Sequence, residues 1–76
     1  MTTRTELTRN KAYRAYRFSP AYRDDMNAHA IEVIETDGVH ALAIEVRLTN
    51  VVDWWEGTAA FESHLNDIAN GDRVLP

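Results

Sequence analysis

Apolar and polar residues alternate most regularly between Val39 and Leu48. The preceding segment, 29–35, is short and rich in β-branched residues, and Asp37-Gly38 between the two is a typical turn dipeptide. We therefore predict a β-hairpin in which residues 29–35 pair with residues 39–48. One side of the second strand would then be apolar and would carry His40, Leu42, Ile44, Val46 and Leu48.

The C-terminal third has a helical period instead. From Val51 onwards, large apolar residues recur within one arc of a helix, with Asn50 placed to cap its first turn. Gly57-Thr58 interrupts this pattern, and Thr58 could cap a second piece. The sequence predicts either a kinked helix over 51–70 or two helices over 51–56 and 58–70.

The N-terminal third permits two interpretations. Residues 11–18 favour a strand because aromatic residues alternate with Arg17, although Tyr13 and Tyr16 would also share one face of a helix. Residues 19–27 form either a loop or the start of a helix with Ser19 as its N-cap. In the second interpretation the helix continues through residue 35 and stops at Gly38.

These elements predict an α+β fold. A small antiparallel sheet of two or three strands, including the hairpin, is covered on one face by the C-terminal helix, which is broken near Gly57. The expected organisation is a flexible N-terminal arm over 1–10, a single domain over 11–71 and a short tail over 72–76. The side chains expected to form the core, at ~2–5 kcal/mol for each change to alanine, are Leu42, Ile44, Phe61 and Leu65.

Composition narrows the class of protein. The chain has 76 residues and no cysteine, which excludes a disulfide framework. It has no apolar run long enough to cross a membrane and no apolar segment typical of a secretory signal, so we expect a cytoplasmic protein. A chain this short forms a small core, which favours a weak homodimer through the smooth face of Ala41 and Ala43.

Charge is divided between the two parts of the chain. Residues 1–23 carry six basic residues and one acid, a net charge of +5, whereas residues 24–76 carry two basic residues and eleven acids, a net charge of −9. Within the basic part the dipeptide Tyr-Arg occurs three times. These three pairs, together with Trp54 in the C-terminal third, give the predicted partner-binding residues Tyr13, Arg14, Tyr16, Arg17, Tyr22, Arg23 and Trp54.

Three interpretations of the Tyr-Arg pairs remain open. Tyrosine, tryptophan and arginine are the side chains most favoured at protein-binding hot spots. Arginine also neutralises phosphate, and tyrosine stacks on unpaired bases, as in a nucleic-acid surface. The third interpretation is structural, with arginine stems and guanidinium planes covering aromatic rings. Trp54 has a similar alternative, because a small domain can use both Trp54 and Trp55 in its core.

Signatures of catalysis and of bound cofactors are missing from the sequence. The three glycines are isolated, and neither serine lies in a nucleophile elbow. The histidines match no zinc-binding spacing, and the adjacent acids Asp24 and Asp25 lie in a polar stretch that is typical of a solvated surface. We therefore expect no enzymatic activity, no cofactor and no metal.

In its size, lack of cysteine and acidic balance, the chain resembles small proteins of phages and mobile elements. Many of those inhibit host machinery, anti-CRISPR proteins among them. The resemblance implies a non-enzymatic module that binds a larger protein, such as a nucleic-acid-processing complex, and inhibits it. One alternative is a nucleic-acid-binding accessory protein that uses the basic stretch 13–23. Another is a small dimeric enzyme or ligand-binding protein.

Overall fold

Six helices follow one another along the chain. The computed structural model describes residues 4–76, and among these residues it contains no strand; helices account for 80% of the structure. The helices are α1 (Arg4–Arg9), α2 (Lys11–Arg17), α3 (Pro20–Asp37), α4 (Val39–Thr49), α5 (Val51–Glu56) and α6 (Ala59–Ala69).

The predicted α+β fold is wrong, because both strands of the expected hairpin are helical. Residues 29–35 belong to α3, and residues 39–48 belong to α4. The alternative start at Ser19 and Pro20 is the correct one, and α3 stops at Gly38, whose N–H donates to the Ile34 carbonyl oxygen at 3.0 Å. The predicted strand over 11–18 is also wrong, because α2 occupies this segment.

The alternation in residues 39–48 was interpreted as a strand, although two of the positions between the large apolar residues are occupied by alanine. Alanine has the highest helix propensity, so Ala41 and Ala43 favour a helix as readily as they fit a strand. In a helix, residues two positions apart point to nearly opposite sides, so the large residues of this segment alternate between two faces. Leu42 and Val46 are accordingly half-buried, whereas Ile44 and Leu48 are exposed, so Ile44 is not a core residue.

The C-terminal prediction of two helical pieces is confirmed. Asn50 caps α5 by accepting the N–H of Asp53 at 2.9 Å. Helix α5 ends at Glu56, and Thr58 caps α6 by accepting the N–H of Phe61 at 3.1 Å. The interruption at Gly57-Thr58 lets α6 direct Phe61 and Leu65 into the core, where both were expected.

An aromatic core lies between α2, the first half of α3, α5 and α6. Trp55, Tyr16 and Phe61 are its largest fully buried side chains. Edge-to-face contacts dominate, such as Trp55 against Phe61 with ring centroids 5.7 Å apart. The buried indole N–H of Trp55 has no hydrogen-bond partner among the described residues. The core is formed by Tyr13, Tyr16, Ala21, Tyr22, Trp55, Phe61 and Leu65.

Helix α4 lies outside this core and contributes no buried residue to the described structure. It packs against α3. The ring of His29, in the middle of α3, lies 5.7 Å from the rings of Trp54 and Trp55 in α5. Single residues join α4 to its neighbours: Gly38 has φ 95° and ψ 160°, and Asn50 has φ 91° and ψ 164°. This conformation is rare for a residue other than glycine and costs Asn50 on the order of 1–3 kcal/mol.

The two ends of the chain contact the rest of the fold. Residues 1–3 of the predicted arm lie outside the described residues, and residues 4–9 form α1, from which Leu7 packs on the aromatic core. In the predicted tail, Leu75 also packs on this core. Within residues 4–76, no helix combines the length and the apolar character that crossing a membrane requires.

Candidate functional site

Tyr13 and Tyr22 direct their hydroxyl groups at the same buried carboxylate. Both donate to Oε2 of Glu56, at 2.8 Å and 2.7 Å respectively. The Glu56 side chain is 3% exposed, and the Arg17 guanidinium Nε lies 4.0 Å from the same oxygen. Burial, reinforced by the hydrogen bond to Glu56, raises the pKa of Tyr22. This network connects α2 and α3 to the end of α5.

The third tyrosine belongs to a second network around Asp25. Tyr16 donates to Oδ2 of Asp25 at 2.7 Å, and Arg73 donates to the same oxygen at 2.6 Å. Arg73 also lies 3.0 Å from Nδ1 of His64. Because a guanidinium can only donate, Nδ1 accepts, and neutral His64 then carries its proton on Nε2. The Asp25 network therefore ties the last residues of the chain to α3.

Opposing effects set the protonation of these groups. Burial raises the pKa of Asp25, but the hydrogen bonds from Arg73 and Tyr16 outweigh it and hold the pKa below its ordinary value of 3.8. Burial and the hydrogen bond to Asp25 together raise the pKa of the Tyr16 phenol. At neutral pH the carboxylate is therefore ionised and the phenol is protonated.

In the three Tyr-Arg pairs, the tyrosines lie inside the fold and the arginines lie nearer its surface. The structure buries Tyr13, Tyr16 and Tyr22 in the core, so their rings are not presented to solvent. Arg14 and Arg23 are exposed, whereas Arg17 is partly covered, with its guanidinium carbon 4.8 Å from the centroid of the Tyr22 ring. Of the six paired residues, Arg14 and Arg23 are the exposed ones, and Arg14 Nη1 donates to the Thr8 carbonyl oxygen at 2.9 Å.

The three arginines lie near an exposed aromatic ring at the turn between α2 and α3. Phe18, the last residue before the turn, is 84% exposed, and the guanidinium carbon of Arg17 lies 5.8 Å from its ring centroid. An open cleft of about 410 Å³ adjoins it and is lined by both Arg17 and Arg23. Arg14 lies one helical turn before Phe18 and is exposed. We call the four residues Arg14, Arg17, Phe18 and Arg23 the basic turn.

Trp54 lies away from the basic turn. It is half-buried, its ring centroid is 5.7 Å from that of His29, and its indole N–H donates to Oε2 of Glu45 at 3.1 Å. Trp54 therefore connects α5 to both α3 and α4. Trp54 packs against the aromatic core that contains the three tyrosines, but it does not line the cleft beside Phe18.

Sequence reasoning missed Glu56, Asp25, Arg73 and Phe18. A usable signal was available for the two acids, because a buried tyrosine hydroxyl needs a hydrogen-bond partner. If Tyr13 and Tyr16 lie on the inward face of a helix, their hydroxyl groups need acceptors, and acidic side chains are the natural ones. For Phe18 the signal was its position beside Ser19-Pro20, since a turn holds its side chains near the surface.

Acid should weaken the Asp25 network. The folded-state pKa of Asp25 is depressed, so its contribution to stability is present above about pH 4 and is lost as the pH falls through the lowered value. We expect Asp25→Asn to destabilise the fold at pH 7 and to flatten the stability curve between about pH 5 and pH 2. Urea unfolding at each pH, followed by tryptophan fluorescence, measures this. The matched control, Asp24→Asn at the exposed neighbouring acid, should keep the wild-type pH dependence; equal curves for both variants would contradict the assignment.

Comparison of the chain with protein-family models, with curated proteins and with solved structures finds no match.

Proposed function

We propose that this chain is a small, non-enzymatic module that binds a larger protein through the basic turn. Phe18 carries the proposal, because its aromatic ring is 84% exposed to water and does not belong to the hydrophobic core. An exposed aromatic ring flanked by arginines is the composition that dominates binding hot spots. By covering a surface of its partner, such a module acts as an inhibitor.

The construction of the turn supports this role. Ser19 donates its hydroxyl to the Tyr16 carbonyl oxygen at 2.9 Å, and Pro20 begins α3 with a fixed φ angle. Tyr16 and Tyr22, on the two sides of the turn, pack edge-to-face with ring centroids 5.4 Å apart. Phe18 is therefore held between two anchored helices, so little conformational entropy is lost when a partner covers it.

The charge around Phe18 indicates what the partner presents. Arginines 14, 17 and 23 lie at the turn, and the cleft contains one acid, Asp24. A complementary surface has carboxylates around an apolar depression that accepts the ring. Because the guanidinium fork binds carboxylates in two places, replacing arginine by lysine should weaken the contact.

Alanine substitution at the basic turn tests the proposal. In affinity capture from the native host, Phe18→Ala and Arg23→Ala should each weaken retention of the protein that the wild-type chain captures. A hot-spot loss of at least ~2 kcal/mol corresponds to about 30-fold or more. Both side chains are exposed, so circular dichroism should be unchanged. The control is Val74→Ala, which alters a side chain that is 87% exposed in the tail and should leave capture intact.

Two results would contradict the proposal. Capture that is unaffected by the basic-turn variants would place the contact elsewhere. Capture that is abolished by nuclease and falls steeply between ~50 and ~200 mM salt would identify nucleic acid as the ligand. In that case Arg23→Lys would retain most of the affinity, because a phosphate contact needs the charge more than the fork.

A further inference from the structure

A buried carboxylate lies next to the basic turn. Oε2 of Glu56 is 4.0 Å from Nε of Arg17, and the Glu56 side chain is 3% exposed, whereas that of Arg17 is 37% exposed. At this distance the contact is a charge interaction rather than a hydrogen bond. Because the fold shields Glu56 from water and salt, it attracts the guanidinium more strongly than a surface carboxylate would. Glu56 therefore holds the Nε edge of Arg17 towards the interior.

Two aromatic rings limit the position of the same guanidinium. Its carbon lies 4.8 Å from the centroid of the Tyr22 ring and 5.8 Å from that of Phe18. Distances of this order are favourable for cation–π contacts. Tyr22 is itself fixed, because it is buried and its hydroxyl donates to Glu56 at 2.7 Å. Glu56 therefore acts on Arg17 in two ways, through its charge and through the ring over which the guanidinium lies.

The donors of Arg17 are unused within the described part of the chain. A guanidinium has five N–H donors in one plane, and that of Arg17 donates no hydrogen bond among residues 4–76. Arg17 also lines the open cleft beside Phe18. A held guanidinium with unused donors at a cleft suits a carboxylate, which accepts two parallel N–H groups from the planar fork.

We propose that Glu56 is the positioning residue of the basic turn, and that Arg17, which it holds, recognises a carboxylate of the partner. The recognition rests on the function proposed above, whereas the holding of Arg17 is a property of the chain alone. Holding a long side chain in advance reduces the conformational entropy that binding must remove. Arg23 has no such support, because it is exposed and its side chain makes no hydrogen bond, ion pair or ring contact within residues 4–76.

The charges at the turn favour a carboxylate over a phosphate. The three arginines of the basic turn carry +3 and the two neighbouring acids, Asp24 and Glu56, carry −2, so the net charge is +1. One carboxylate neutralises this charge. A phosphate dianion would exceed it, and the two acids would repel a dianion more strongly than a single charge.

NMR relaxation of the arginine Nε–H groups tests the positioning in the chain alone. In the wild type, the order parameter of Arg17 should exceed ~0.6, below which a site is flexible, and that of Arg23 should fall below it. Glu56→Gln keeps an oxygen for the two tyrosine hydroxyls but removes the charge, so Arg17 should become as mobile as Arg23. The matched control, Glu62→Gln at an exposed glutamate of α6, should leave Arg17 unchanged. A wild-type Arg17 as mobile as Arg23 would overturn the positioning, whether or not Glu56→Gln folds.

Binding tests the role of Arg17, and the probe is the protein that the wild-type chain captures from its host. Arg17→Ala should weaken its binding at least ~10-fold, and Arg17→Lys nearly as much, because lysine lacks the planar fork. Glu56→Gln should weaken binding ~3- to 10-fold by releasing Arg17. It should have little further effect once Arg17 is alanine, because the two residues act as a unit. Measurement at ~300 mM salt screens the direct repulsion between Glu56 and the carboxylate of the partner.

The outcomes separate this inference from the proposed function. If Phe18→Ala abolishes binding but Arg17→Ala does not, the inference is wrong and the basic turn remains the binding site. Equal losses from Glu56→Gln with and without Arg17 would also overturn it, because Glu56 would then act through the fold as a whole. Capture that is unaffected by Phe18→Ala and Arg23→Ala would contradict the proposed function, and the relaxation of Arg17 would still decide whether Glu56 holds it.

Discussion

Glu56→Ala should lower the free energy of unfolding by about 3–5 kcal/mol. The change leaves two buried tyrosine hydroxyls without the carboxylate that accepts them, and an unsatisfied buried donor costs ~1–3 kcal/mol. A domain of this size is stable by roughly 4–11 kcal/mol in total. The change would therefore remove a large share of this stability and lower the urea midpoint clearly. Urea titration followed by tryptophan fluorescence measures the loss.

Further variants distinguish the loss of the hydrogen-bond network from the loss of one negative charge. Glu62→Ala, at an exposed glutamate of α6, should stay within ~0.5 kcal/mol of the wild type. Combining Glu56→Leu with Tyr13→Phe and Tyr22→Phe removes all three polar groups together, and it should recover much of the stability that Glu56→Ala loses. A Glu56→Ala protein that unfolds at the wild-type urea midpoint would show that the network does not stabilise the fold.

Phe61→Ala should cost about 3–5 kcal/mol, the usual range for deleting a buried aromatic ring. The Phe61 side chain is 1% exposed, and its ring contacts those of four other residues. Its removal would leave a cavity that the surrounding rings cannot fill, because each is held by other contacts. Those rings belong to Tyr13, Tyr16, Tyr22 and Trp55.

The control for this prediction is Ile44→Ala, at a position that the sequence assigned to the core. Its side chain is 59% exposed, so the change should stay within ~0.5 kcal/mol of the wild type. Equal losses for Phe61→Ala and Ile44→Ala would mean that α4 belongs to the core after all.

The sequence predicted α5 and α6, whose first turns have explicit capping residues, but it missed α2, although Asn10 caps this helix by accepting the N–H of Tyr13 at 3.1 Å. Asn50 and Thr58 each accept an N–H from the residue three positions ahead, which is why two helical pieces could be predicted for 51–70 beside the alternative of one kinked helix. The sheet was predicted because periodicity is ambiguous over short segments. In 39–48 the alanines remove the contrast on which a distinction between strand and helix depends.

The candidate site could be predicted only in part for a related reason. The Tyr-Arg repeat lies in the segment that contains the proposed basic turn. Because α2 is a helix, its tyrosines are buried on the inner face, whereas Arg14 is exposed on the outer face. The acceptors of the tyrosine hydroxyls lie far along the chain, 43 residues from Tyr13 in the case of Glu56. The local sequence pattern contains no information about such distant pairs. The rule that a buried hydroxyl needs a hydrogen-bond acceptor does predict that a partner exists.

The single-residue links at Gly38 and Asn50 have a consequence for dynamics. Both links share nearly the same extended backbone with positive φ, and the helix between them contributes nothing to the buried core. Local unfolding can therefore release α4 without opening the aromatic core, because only the partial contacts of α4 with α3 and α5 must break. The amide protons of α4 would then exchange with solvent through this partial opening, while those of α6 would wait for global unfolding.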